Sequence, residues 1–77
     1  MQPPFEPQPI SDVPLDSPPI GHMSPSKQHA ALLNELDNAD VVLGSHDRFI
    51  VGWLANLDWS TVATIASLIR RAGNSRH

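Results

Sequence analysis

Seventy-seven residues, a net charge of −3 and no cysteine leave room for one small domain and exclude disulfides, a thiol nucleophile and a Cys-based zinc site. No apolar run approaches the roughly 18 residues of a membrane span, and the first residues lack the basic-then-apolar order of a secretory signal. The charge is unevenly placed. Glu6, Asp12 and Asp16 stand without any Lys or Arg in the first 23 residues, whereas the remainder balances five basic residues against five acidic ones.

All eight prolines lie within the first 25 residues. Such density removes backbone donors and restricts each preceding residue, so helix and central strand are barred. Residues 1–23 are expected to form an extended, disordered arm with polyproline II character. Apolar residues punctuate it at Phe5, Ile10, Val13, Leu15 and Ile20. In a linear motif these would dock into a partner's groove; in a plain tail they are incidental. "GHM" at 21–23 has the form of a cloning junction, or of a second start at Met23.

A compact unit is expected over 24–77, made of three helices. The first spans about 26–38, opened by Ser24 or Ser26 as cap with Pro25 at the first helical position. It carries Leu32, Leu33 and Leu36 on one face, extended by His29, and "DNAD" at 37–40 stops it. "VVLG", Val41 to Gly44, is a short apolar connector. The second helix spans about 46–57, with Ser45 as cap and Asp47 in the first turn, where the helix dipole favours an anion. Phe49, Ile50, Trp53, Leu54 and Leu57 form its apolar stripe, which places Trp53 at the centre of the core. Gly52 lies off that stripe and costs roughly 1 kcal/mol relative to Ala.

The third helix spans about 59–72, from Asp58 as cap to Gly73 as stop. Trp59, Val62, Ile65, Ala66, Ile69 and Ala72 recur at three and four residues. Arg70 and Arg71 sit in the last turn, where cations suit the dipole. Val51 and Leu68, with Trp59 at the edge of its stripe, are surplus to a three-helix core.

Catalytic chemistry has little to work with. His46 and Asp47 are adjacent, so on a helix they diverge by about 100° and cannot act as base and orienter. No Gly-rich loop precedes a helix, and no serine sits in a strand-to-helix elbow. His22 and His29 would need helix running back through Pro25 to share a metal. No enzyme, cofactor or metal site is expected.

Two readings concern the outward face of the third helix. In the first, Ser60, Thr64, Ser67, Leu68 and Arg71 let another chain approach closely, which would supply stability that about 50 residues alone lack. The partner is another protein or a second copy. In the second, the chain is a helix-turn-helix regulator, with Thr64, Ser67, Arg70 and Arg71 facing DNA. Charge weighs against it, because nucleic-acid affinity draws on phosphate neutralisation and the compact part has no basic excess.

The string "WLANLDWSTVATIASLIRRAG", residues 53–73, resembles the C-terminal part of short actinobacterial proteins of the Streptomyces type. In these a WLA segment precedes an acidic residue, TVATIA and an arginine pair. The resemblance covers about 50 residues from Met23 onward and leaves the arm outside. It implies a cytoplasmic bacterial setting and carries over no functional residue.

Overall fold

The computed structural model describes residues 6–75. Three helices make up its regular structure: α1 (Pro25–Asn38), α2 (Ser45–Leu54) and α3 (Trp59–Asn74). The all-α three-helix architecture expected from the sequence is present; the end of α1 and the start of α3 fall where expected, and the other four helix ends shift by one to three residues.

Each boundary has a local cause. Ser24 is the N-cap of α1, its hydroxyl accepting from the Lys27 amide, and Pro25 fills the first position, where its missing N–H costs nothing. At the other end the Val41 amide bonds to the Leu36 carbonyl, and the Asp40 amide to that of Asp37. This nested pair is a Schellman closure. It forces Asp40 to φ 61°, a left-handed conformation that Asp tolerates better than most residues. Gly44, rather than Ser45, caps α2, and its amide donates to Asp47 Oδ2 at 2.9 Å. The helix stops at Leu54, and residues 55–57 continue as tightened turns. In α3 the chain runs straight through Gly73. A Cβ there would lie 3.1 Å from Ala39 Cβ, so Gly73 marks the close crossing of α3 with the end of α1, not a helix stop.

The core comprises Leu32 of α1, Val51 of α2 with Ala55 beyond it, and Trp59, Val62, Ala63 and Ala66 of α3. The phase of α2 is thus turned from the sequence expectation: Leu54 and Leu57 of the expected stripe still pack against the core, half-buried, but Phe49, Ile50 and Trp53 do not. Val51 and Ala55, at i and i+4, face inward, while Phe49 and Trp53 are 69% and 59% exposed and Ile50 also faces out. Short side chains let α2 pack against α1, and a stripe containing two large aromatic rings would hold it away. Trp59, 4% exposed, takes the buried aromatic position instead.

Two polar residues share the inner face of α1. Gln28, Leu32 and Glu35 follow i, i+4, i+7 and are all buried, whereas Leu33 and Leu36 are half-buried. Gln28 Nε2 donates to the carbonyls of Ala55 at 2.8 Å and Leu57 at 2.7 Å. These belong to the α2–α3 turn, whose backbone would otherwise be buried without partners. Among the described residues no buried side-chain nitrogen or oxygen lacks a hydrogen bond.

The arm differs most from expectation. Residues 6–23 do not project as a free tail but fold back along α3. The Gln8 amide bonds to the Ile20 carbonyl, and the Ile20 amide to Gln8 Oε1. Gly21 closes this loop at φ 116°, where a Cβ would lie 2.4 Å from Pro7 Cα, so both the conformation and the approach require glycine. Ile10 and Met23 pack against the core, and Pro19 is buried. The physical reason is on α3, whose side chains supply the donors that a proline-rich strand cannot obtain by pairing with itself.

Candidate functional site

The outward side of α3 is where the arm lies. Three of its side chains take three arm carbonyls. Trp59 Nε1 donates to the Gln8 carbonyl at 3.1 Å, Arg70 Nη1 to that of Ile10 at 2.7 Å, and Ser67 Oγ to that of Ser11 at 2.9 Å. Positions 59, 67 and 70 share one side of a helix at 3.6 residues per turn. The arm therefore runs along α3 as an extended strand read through its backbone.

Arg70 organises the far end of this surface. Its Nε and Nη2 donate to Glu35 Oε1 and Oε2 at 3.1 and 2.6 Å, a bidentate pair across the α1–α3 interface. The Glu35 side chain is 3% exposed and that of Arg70 31%. Nη1 also reaches Asp12 Oδ1 at 3.3 Å, so the guanidinium is shared between a buried carboxylate and an acidic arm residue. The hydrogen bonds to Glu35, followed by the nearby charges of Glu35 and Asp12, raise the Arg70 pKa above its ordinary value. A cleft of about 160 Å³ opens beside it, between Asp12, Glu35, Asn38 and Gly73.

The residues expected to face a partner are thus divided. Ser67 is fully buried under the arm, which corrects its placement on an open surface. Ser60 and Thr64 are half-buried, and the Thr64 hydroxyl bonds back to the Ser60 carbonyl at 2.7 Å. Arg71 is half-buried and folds along its own helix, Nε donating to the Ser67 carbonyl and Oγ. Leu68 alone of the set is well exposed, at 55%. For a nucleic-acid surface the consequence is direct: Arg70 is committed to Glu35, Ile10 and Asp12, and Ser67 has no outward aspect.

The arm residues expected to dock elsewhere are also divided. Ile10 packs on the chain's own core, Leu15 is half-buried, and Val13 and Ile20 are exposed. Phe5 lies outside the described residues. The feature that sequence reasoning missed is the polar pair Gln28 and Glu35. Their spacing about Leu32 carries the signal, because a glutamine and a glutamate one turn either side of a core leucine share its face.

A second surface lies on α2. Phe49, Ile50 and Trp53 occupy one side of the helix, with His46 stacked on Phe49 at a ring separation of 6.3 Å. Val42, in the preceding connector, is 93% exposed. Arg48 lies away from this side, next to Leu33, Leu36 and Asp37, and the Asp47 carboxylate turns back to the Gly44 amide. Gly52 adjoins the aromatic side, and a Cβ there would meet nothing within 4 Å.

Among the described residues no group of three or more His, Asp or Glu side chains is placed to hold a metal ion, and no helix is long and apolar enough to cross a membrane. No protein-family model, curated protein or solved structure matches this chain.

Proposed function

We propose that this protein is a small non-catalytic interaction module that associates with a second copy of itself through the outer side of α2. The observation that carries the reading is the turned phase of that helix. Phe49, Ile50 and Trp53 point to solvent, while Val51, Ala55 and the half-buried Leu54 pack on the core. Exposed aromatics gathered on one helix side are a protein-contact signature, and Trp in particular anchors interfaces.

The second copy is favoured by charge and by size. The Phe49, Ile50 and Trp53 side of α2 carries no Asp, Glu, Lys or Arg of its own, so two copies packed through it meet no like-charge cost. A unit this small gains proportionally more from covering apolar surface than a larger domain would.

Equilibrium sedimentation of the whole chain tests the proposal. A concentration-dependent dimer is expected. The double substitution Phe49→Ser with Trp53→Ser should return it to monomer with helix content unchanged by circular dichroism. A wild-type chain that stays monomeric to its solubility limit overturns the reading.

A further inference from the structure

We infer that the arm-binding side of α3 is an exchangeable peptide site, which takes the 6–12 segment of a second copy in trans as it takes its own in cis. The surface is separate from α2, and the inference does not rest on the reading above.

The chemistry of the site defines its ligand. Trp59, Ser67 and Arg70 bond to the carbonyls of Gln8, Ser11 and Ile10. Backbone carbonyls are offered by any extended chain, so these bonds fix direction and register and say little about sequence. Selectivity comes from two side chains. Ile10 packs on the core cluster, and Asp12 two residues later meets Arg70. The ligand is therefore an extended segment with an aliphatic residue two positions before an acidic one. Prolines at 7 and 9 suit it, because they hold the chain extended and lower the ordering cost on binding.

Several features make the cis complex separable. The α1 cap is built from Ser24 and Lys27, so the helical unit begins without help from the arm. From Asp12 to His22 the chain is exposed apart from Leu15 and Pro19, and little apolar surface opposes its opening. The loop turns on Gly21, which can take other backbone conformations freely. Every arm–α3 bond of the cis form is reproduced when two copies trade arms, since both partners are identical. Exchange of a terminal segment about such a hinge is a low-cost route to a dimer. The cis arm competes at high effective concentration, so trans occupancy rises with protein concentration.

Because the chain has no cysteine, single cysteines report the exchange cleanly. Copies carrying Ser11→Cys are mixed with copies carrying Ser67→Cys under mild oxidation. Position 67 is fully buried beneath the arm, so it reacts only when its own arm has left. A disulfide-linked heterodimer is expected, and its yield should fall several-fold when Ile10→Asp is added to the Ser11→Cys copy. Yield should persist when both copies also carry Trp53→Ser, which separates this inference from association through α2. Heterodimer absent, insensitive to Ile10→Asp, or lost with Trp53→Ser overturns it. A measurement on the unmodified chain guards against a misfolded variant. A fluorescently labelled peptide of residues 6–21 should bind saturably to the full-length protein, and the same peptide with Ile10→Asp should bind at least several-fold more weakly. No saturable binding of the parent peptide overturns the inference as well.

Discussion

The outer sides of α2 and α3 make opposite use of their residues. On α2 the aromatic side chains Phe49 and Trp53 face water, and Val51 with Leu54 packs inward. On α3 the outer side carries serines, threonine and arginine, yet part of it is covered, because the arm lies on it and its carbonyls meet Ser67 and Arg70. Covering a helix side therefore does not require apolar residues there. It requires that each donor find an acceptor, and an extended proline-rich strand with its free carbonyls supplies acceptors in a row.

The two tryptophans offer the largest break in this comparison. Trp59→Ala should destabilise by about 3–5 kcal/mol, the range for a buried aromatic truncation, and leave the unit largely unfolded. Trp53→Ala should change the stability of the monomer, compared at concentrations where the dimer is not populated, by less than about 0.5 kcal/mol, as surface substitutions do. Thermal melts of the pair check this, and equal losses would erase the distinction between the two helices.

Arg70→Ala ranks next. It strands a buried Glu35 and releases the arm at Ile10 and Asp12. Loss of one partner of a fully buried pair costs more, but Arg70 is partly solvated, so about 2–3 kcal/mol is expected. Arg70→Lys should recover only part, because an ammonium cannot hold Glu35 bidentately while reaching the arm. Denaturant titration of both variants measures the difference.

How much of this was legible beforehand varies by element. The three helices and both ends of α1 were readable, the latter from Ser24, Pro25 and "DNAD", because capping chemistry is local; the cap and end of α2 and the end of α3 were not, since Gly44 caps α2, α2 stops at Leu54 and α3 runs through Gly73. On α3 the spacing of Trp59, Val62 and Ala66 indicated the buried side, although Ala63 and Ser67 outside the expected stripe are buried too and Ala72 within it is exposed. The phase of α2 was not readable. Hydrophobicity ranks Phe49 and Trp53 above Val51 and Ala55, but close helix packing selects for size, and no periodicity encodes which of two stripes has room. The arm's seat was invisible for another reason: carbonyl oxygens are the same at every residue, so a strand held through them leaves little trace in composition. Ser67 and Arg70 stood out among the candidate residues, although what they would meet could not be read.

Smaller effects sharpen the account. Asp40→Gly should raise stability by about 1 kcal/mol, since glycine removes the cost of the left-handed conformation at the α1 closure. Comparison of midpoints in urea at constant slope detects it. The smallest effect concerns pH. The Thr61 hydroxyl donates to Asp58 Oδ1 at 2.7 Å and holds this exposed carboxyl below its usual value. A depressed folded pKa contributes stability that is present above the unfolded value and lost as pH falls through the folded one. Thr61→Val should therefore move the Asp58 titration upward, observed by NMR, and flatten the stability change in that acidic window.

The most direct test follows the two indole N–H protons by NMR in the unmodified chain. At concentrations where the monomer predominates, the Trp59 proton, bonded to the Gln8 carbonyl, should exchange slowly with water and show nuclear Overhauser contacts to Gln8 and Pro9, whereas that of Trp53 should exchange as a free indole does. Equal exchange at both sites, or slow exchange at Trp53 with none of the arm contacts at Trp59, would contradict an arm seated on α3 and an open α2.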